Sequence, residues 1–330
     1  MPPRALVTGA GGFVGANLCR RLLHDGASVH AVVRPGADTW RLEAIRGDIT
    51  FHELDLRDTT ALASTFDRAG ADWVFHLAAH GAYSWQTDTE AIFTTNTVAS
   101  AALVDMACAR GVEALVQAGT SAEYGAADHP ARESELIAPD GAYAVSKAAA
   151  TRYARAVARK RGAHVVTLRL CSAYGPWEDP NRLLPTLATF GLQGRLPSLA
   201  DPRTARDLVF VDDVCEAFVR AARATHLEPG AVLNVGSGSA TTLAELVDLA
   251  RAELAIDERP RWSTMAPRTR DVMTCVADPA RIRDELGWQP RWSLAEGFRS
   301  LAGWLRHDPA TRARYEAATG CPVSGFAISL

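Results

Sequence analysis

Tyr143 and Lys147 are the pair best suited to chemistry in this chain. In the run Tyr143-Ala144-Val145-Ser146-Lys147 they stand four residues apart, which on a helix puts both side chains on one face. An ammonium beside a phenol favours the phenolate and moves its ordinary pKa of about 10 toward the working range. A phenol tuned in this way can give or take a proton at a carbonyl or alcohol oxygen. Tyr-x-x-x-Lys is frequent by chance, so the pair takes its meaning from its setting. Upstream, Gly119-Thr120-Ser121-Ala122-Glu123-Tyr124-Gly125 leaves an apolar run with two hydroxyls where a substrate oxygen needs a second donor. Helix capping is the other use of Thr120 and Ser121, and one of them can be spent that way.

The element that must serve such a pair begins near the N-terminus. Ala5-Leu6-Val7-Thr8 is a short apolar strand that breaks into Gly9-Ala10-Gly11-Gly12-Phe13-Val14-Gly15. Residues 16–23 then resume with apolar positions at helical spacing. A strand, a tight glycine turn and a helix let backbone approach a pyrophosphate, with the positive end of the helix facing it. Gly9, Gly12 and Gly15 are spaced G-x-x-G-x-x-G, a departure from the commonest dinucleotide pattern. Residues 28–34 form a second strand closed by Pro35-Gly36. In a dinucleotide fold its end lies beside the adenosine ribose, where a carboxylate suits a 2′-hydroxyl and an arginine suits a 2′-phosphate. Arg34 stands there, so NADP is the expected cofactor, with NAD as the other reading.

Residues 49–58 are expected to give a third strand and its polar exit, residues 73–80 a fourth strand ending in small residues, and residues 114–119 a fifth. A helix is expected over residues 96–109. Near-continuous apolar strands alternating with helices imply an α/β, doubly wound parallel sheet covered on both faces. Residues 1–175 then form the dinucleotide-binding unit, to which the chain returns around 207–238. Residues 176–330 belong mainly to a smaller C-terminal substrate-binding lobe and tail.

The 330 residues carry a net charge of −3 and are 48% hydrophobic, which gives no electrostatic footprint for nucleic acid or an anionic membrane. Lysine occurs only at Lys147 and Lys160. The six cysteines are scattered, with no pair or histidine cluster at metal-ligand spacing, so no metal is expected. No apolar run reads as long enough to cross a membrane, and the start leaves no room for a signal peptide. A reduced, cytoplasmic enzyme is the expectation.

Taken together, the glycine turn, His76-Leu77-Ala78-Ala79, Asn96, Tyr143/Lys147, Tyr174-Gly175-Pro176, Arg206-Asp207, Asn234-Val235-Gly236-Ser237-Gly238 and Leu286-Gly287-Trp288-Gln289-Pro290 resemble the extended short-chain dehydrogenase/reductase family, in its nucleotide-sugar branch. The resemblance covers nearly the whole chain and implies a Rossmann-type fold. It implies that Gly9, Gly12, Phe13, Val14 and Gly15 hold the cofactor pyrophosphate, that Asp55 and Leu56 flank the adenine, and that Leu77, Ala78, Ala79 and Asn96 complete the cofactor site. Thr120, Tyr143 and Lys147 would be the catalytic trio, with Ser121 in reserve. Arg206 and Arg268 match arginines that grip the substrate diphosphate, Asn181 and Arg182 fall in the segment contacting the same group, and His80, Tyr83 and Gln86 are candidate sugar contacts. The family's 4,6-dehydratases carry an Asp-Glu pair after the catalytic threonine; here Ser121-Ala122 stand in its place. Ser172, where many epimerases have asparagine, and Arg34 weaken an epimerase reading. The leading expectation is therefore an NADPH-dependent ketoreductase acting on a nucleotide-linked 4-keto-6-deoxy sugar. A nucleotide-sugar 4-epimerase is the alternative, and an inactive cofactor-sensing protein a remote one. The alanine-rich run after Lys147 would allow the close helix packing of a homodimer.

Overall fold

The computed structural model describes residues 2–83, 85–264 and 276–320. Its centre is a sheet built in chain order from β1 (Arg4–Thr8), β2 (Ser28–Val33), β3 (Ile49–Glu53), β4 (Trp73–His76), β5 (Ala114–Thr120), β6 (Val165–Leu170) and, after two short pairs, β10 (Ala231–Val235). The spatial order is β10-β6-β5-β4-β1-β2-β3, and every pairing is parallel. The strands are nearly continuous in buried Val, Leu, Ile and Ala because both faces are covered. Strand order reverses where β1 lies between β2 and β4, which opens a crevice at the carboxyl ends of those strands.

One face is covered by α1 (Phe13–His24) and α7 (Val211–Arg223), packed on each other and on the sheet. The other carries α2 (Thr59–Ala69), a helix formed by α3 (Thr89–Phe93) and α4 (Ser100–Ala109), and α5 (Gly141–Arg161). Local chemistry sets the ends of these helices. Asp58 caps α2 through the amides of Thr60 and Ala61, and Gly70 ends it in the left-handed conformation.

The helix expected from Asn96 starts earlier, at Thr89, and passes through a π-helical stretch, Thr94–Ala99, between α3 and α4. Contrary to the sequence reading, the continuous helix Thr89–Ala109 is long and apolar enough to cross a membrane. Here Leu103, Val104 and Ala107 pack in the core beneath the sheet, beside α5.

The smaller lobe has its own core, formed by α6 (Leu183–Gly191), α8 (Leu243–Leu254), α10 (Leu294–His307) and α11 (Pro309–Gly320). Its link to the first unit is the pair β7 (Ser172–Tyr174) and β9 (Leu208–Phe210), with β8 (Ala205–Arg206) paired to β11 (Thr241–Thr242) nearby. One segment of the expected lobe belongs elsewhere. Ile282 on α9 (Ala280–Leu286) and Trp288 pack into the core of the dinucleotide unit, where the Trp288 indole donates to Asp213 O at 2.9 Å.

Candidate active site

A cleft of about 600 Å³ opens between the two units at the carboxyl ends of the strands. Gly9, Gly12, Phe13, Val14 and Gly15 line one end of it. Two of these glycines are fixed by packing. Gly9 has φ +69°, and a Cβ there would lie 2.6 Å from Ala78 N; at Gly15 it would lie 2.2 Å from Gly9 O. Gly12 is the N-cap of α1 with no side-chain cap and no acid in the first turn, so the positive helix end stays available to an anion. This cradle fits a dinucleotide pyrophosphate. Leu77 and Ala79 line the cleft as expected, while the Ala78 backbone lies against Gly9.

The next wall holds Thr120 at the end of β5 and Tyr143 and Lys147 on successive turns of α5. Thr120 caps: its hydroxyl accepts from Ala122 N at 3.2 Å at the start of the short 3-10 turn Ser121–Tyr124, and the residue also lines the cleft wall with Tyr143. Ser121 also lines the cleft and does not cap. Behind them lies a carboxylate that the sequence reading passed over. Glu123 is fully buried and accepts from Thr120 N at 3.1 Å, Thr151 Oγ1 at 3.1 Å and Arg169 Nε at 2.9 Å. The Arg169 guanidinium in turn lies 4.5 Å over the Tyr124 ring. The signal was available, since Arg169 interrupts the apolar run of β6 one strand away from an acid in a tight turn.

Electrostatics at the pair depart from the simple expectation. Burial, reinforced by the Glu123 charge, pushes the Tyr143 phenol up to about 12. Lys147, only 4% exposed, is lowered by burial to about 8, with Glu123 pulling the other way. Desolvation thus outweighs the mutual effect of phenol and ammonium, and Tyr143 is a proton donor at neutral pH. Among the described residues, none accepts a hydrogen bond from the Lys147 ammonium. The ammonium lines the cleft, where it can meet the ribose hydroxyls of a dinucleotide seated on the glycine turn.

The family model for the NAD dependent epimerase/dehydratase family, named Epimerase, matches residues 5–236. The chain belongs to that family. Among its curated relatives, the dTDP-6-deoxy-L-talose 4-dehydrogenase (NAD(P)(+)) of Kitasatospora kifunensis is 34% identical over 323 residues, covering 94% of this chain and 97% of the relative. The UDP-glucose 4-epimerase of Mycolicibacterium smegmatis is 30% identical over 321 residues, covering 92% and 99%. The solved structure of MoeE5 in complex with UDP-glucose and NAD superposes with a TM-score of 0.79 at 31% identity, covering 92% of this chain and 98% of that one. The protein is an enzyme of the extended short-chain dehydrogenase/reductase type, in a family of NAD-dependent nucleotide-sugar enzymes.

Membership sorts the remaining candidates. Arg182 and Arg206 line the cleft. Arg182 lies 4.9 Å over the Tyr83 ring and donates to Ala82 O at 3.3 Å, so the loop after β4 and the segment before α6 share one wall. Asp207 beside Arg206 is a clamp, accepting from Ser237 N at 2.6 Å, Ser237 Oγ at 2.7 Å and Gly238 N at 3.1 Å. Other candidates sit away from the lining of this cleft. Asn96 does not face the cleft: fully buried, it donates to His80 O at 2.7 Å and Ser146 Oγ at 2.9 Å and accepts from His80 N at 2.8 Å. It joins the β4 loop to α5, fixing the His80 backbone through its N–H and its carbonyl. Gln86 is likewise spent on the loop, accepting from Gly81 N at 2.8 Å, whereas Tyr83 lines the cleft. Asn181 folds back on Asp179 Oδ1 at 3.2 Å and does not line the cleft. Arg34, Asp55 and Leu56 lie at the ends of β2 and β3, beyond the cleft wall; Arg34 is exposed and Asp55 is paired with Arg57 at 2.6 Å. Arg268 lies outside the described residues.

Proposed function

We propose that this protein is an NADP(H)-dependent ketoreductase that reduces the C4 keto group of a nucleotide-linked 4-keto-6-deoxy sugar. The observation that carries the reading is the gathering of Thr120, Tyr143 and Lys147 on one wall of the cleft, while Ser121-Ala122 beside them offer no acid–base pair for eliminating water. A bound dinucleotide supplies the hydride. Thr120 hydrogen-bonds the oxygen at C4, and Tyr143 delivers its proton to that oxygen as it gains negative charge. Lys147 holds the ribose and the phenol in register. Arg182 and Arg206 offer the forked donors that suit a diphosphate. The relative named as a 4-dehydrogenase acts at the same carbon of a dTDP-6-deoxy sugar, and reduction is the reverse of that reaction. Exposed Arg34, with no acid preceding it on β2, supports NADP over NAD.

The second reading is an NAD-dependent nucleotide-sugar 4-epimerase, favoured by the relative of that name and by NAD in solved neighbours. We also propose a cytoplasmic location, and a homodimer joined through the stretch Thr94–Ala99 and α5, where Val98 (63%), Val145 (39%) and Tyr153 (38%) leave apolar surface exposed.

Purified protein is mixed with dTDP-4-keto-6-deoxyglucose and either NADPH or NADH, and loss of reduced nicotinamide is followed. Stoichiometric consumption, faster with NADPH, is the expected result. No consumption, together with NAD released on acid denaturation and interconversion of nucleotide hexoses by proton NMR, establishes the epimerase instead.

A further inference from the structure

The segment after Gly175 is held in an unusual shape. Trp177 sits in the left-handed region, at φ +66°, where a bulky residue is strained. Neighbouring elements pin it there. Trp177 O accepts from Arg41 Nε at 2.6 Å, the Arg20 guanidinium lies 3.9 Å over its ring, and Trp304 packs 5.1 Å from it. On one side Asn17 Nδ2 donates to Pro176 O at 3.1 Å; on the other the Tyr315 hydroxyl donates to Glu178 O. Elements from both units thus fix the backbone at Glu178.

The Glu178 carboxyl is what this arrangement presents. Glu178 is 7% exposed and lines the cleft, and its Oε2 has no hydrogen-bond partner. Among the described residues four buried side-chain atoms are left this way, and only Glu178 belongs to the cleft wall. A buried polar atom without a partner is costly, and inside a ligand cleft the partner can come from the ligand. Arg182, Asp179 and Arg41 face the carboxyl, and the Tyr83, Tyr174 and Tyr315 hydroxyls are near enough to feel its charge. Burial pushes the Glu178 carboxyl up to about 8, with Arg182 pulling it down and Asp179 raising it.

We propose that Glu178 is a specificity-determining residue of the sugar subsite: its buried carboxyl, left without a protein partner at Oε2, hydrogen-bonds an oxygen of a neutral hexose seated beside the Tyr83–Arg182 wall. The assignment rests on the nucleotide-sugar reading of the cleft. An ionised carboxylate here would repel a diphosphate gripped by Arg182, whereas the neutral acid tolerates it and adds a donor. Raising the pH through about 8 turns that donor into an anion and weakens sugar binding.

The test is calorimetric titration of the full chain with dTDP-glucose and UDP-glucose beside dTDP and UDP alone, at pH 6.5 and pH 9. Wild type is expected to bind a sugar nucleotide more tightly than its bare nucleotide at pH 6.5, with a smaller margin at pH 9. Glu178→Gln, an uncharged donor, keeps the margin at both pH values. Glu178→Leu loses about ten-fold on the sugar nucleotide, the size of one buried hydrogen bond, with dTDP, UDP and NADP(H) binding unchanged. A Leu variant that binds sugar nucleotides as wild type does, or that loses bare and sugar nucleotides equally, overturns the assignment to Glu178. A wild type without preference for either sugar nucleotide over its base-matched nucleotide overturns the reading of the cleft itself.

Discussion

Replacing Lys147 by methionine should make the protein more stable and inactive. Lys147 is 4% exposed, and none of the described residues accepts a hydrogen bond from its ammonium. Burial lowers it from 10.5 to about 8, against a partial counter-effect from Glu123. At roughly 1.4 kcal/mol per pH unit this corresponds to about 3 kcal/mol by which the folded state disfavours the charged form at neutral pH. The sign follows from proton counting. Between pH 8 and 10.5 the unfolded chain binds the proton and the folded chain does not, so wild-type stability gains with rising pH across that window. Below pH 8 the whole cost is present. Methionine removes the charge at similar volume, so Lys147→Met should unfold several degrees higher at pH 7, with the advantage shrinking toward pH 10. Thermal unfolding of both proteins from pH 6 to 10, without added dinucleotide, reads this directly. A methionine variant that is less stable at pH 7, or that tracks wild type in parallel at every pH, would refute the reasoning. The ammonium would then be sustained inside the protein rather than held for a ligand.

Tyr143→Phe should lower kcat for keto-sugar reduction by about 10²–10⁴-fold while fluorescence titration shows NADP(H) binding intact, because the proton donor is lost and the cradle is not. Asn96→Leu should cost about 3 kcal/mol in urea unfolding, since it leaves His80 N, His80 O and Ser146 Oγ without their buried partner. Arg34→Asp should reverse the preference between NADPH and NADH in KM with little change in kcat; an unchanged ratio would place the discrimination elsewhere. Glu123→Gln paired with Arg169→Met, which removes the buried charges together, should shift the alkaline limb of the reductase profile to lower pH, because Glu123 raises both Tyr143 and Lys147. A limb at the wild-type position would show that Glu123 acts only as a cap.

What could be read from the sequence is what depends on local spacing. The glycine turn, the strand runs and the Tyr143–Lys147 interval each encode their geometry within a dozen residues, and the sheet and the trio follow from them. What could not be read depends on partners distant in the chain. Asn96 carries a family signature suggesting a ligand, yet its bonds go to His80 and Ser146, and no local pattern separates the two uses. Glu123 meets Arg169 across 46 residues, and Glu178 is turned inward by Arg41, Trp304 and Tyr315, drawn from both ends of the chain. The same distinction explains the electrostatic surprise. Spacing alone puts an ammonium near a phenol and predicts a lowered pKa; burial, which only the assembled cleft supplies, reverses it. A phenol near 12 beside a lysine near 8 describes a site poised to give a proton at neutral pH. The same phenol takes the proton back when the reaction runs in reverse, so this setting serves reduction and transient oxidation alike, and the two readings part on whether the dinucleotide is consumed or retained.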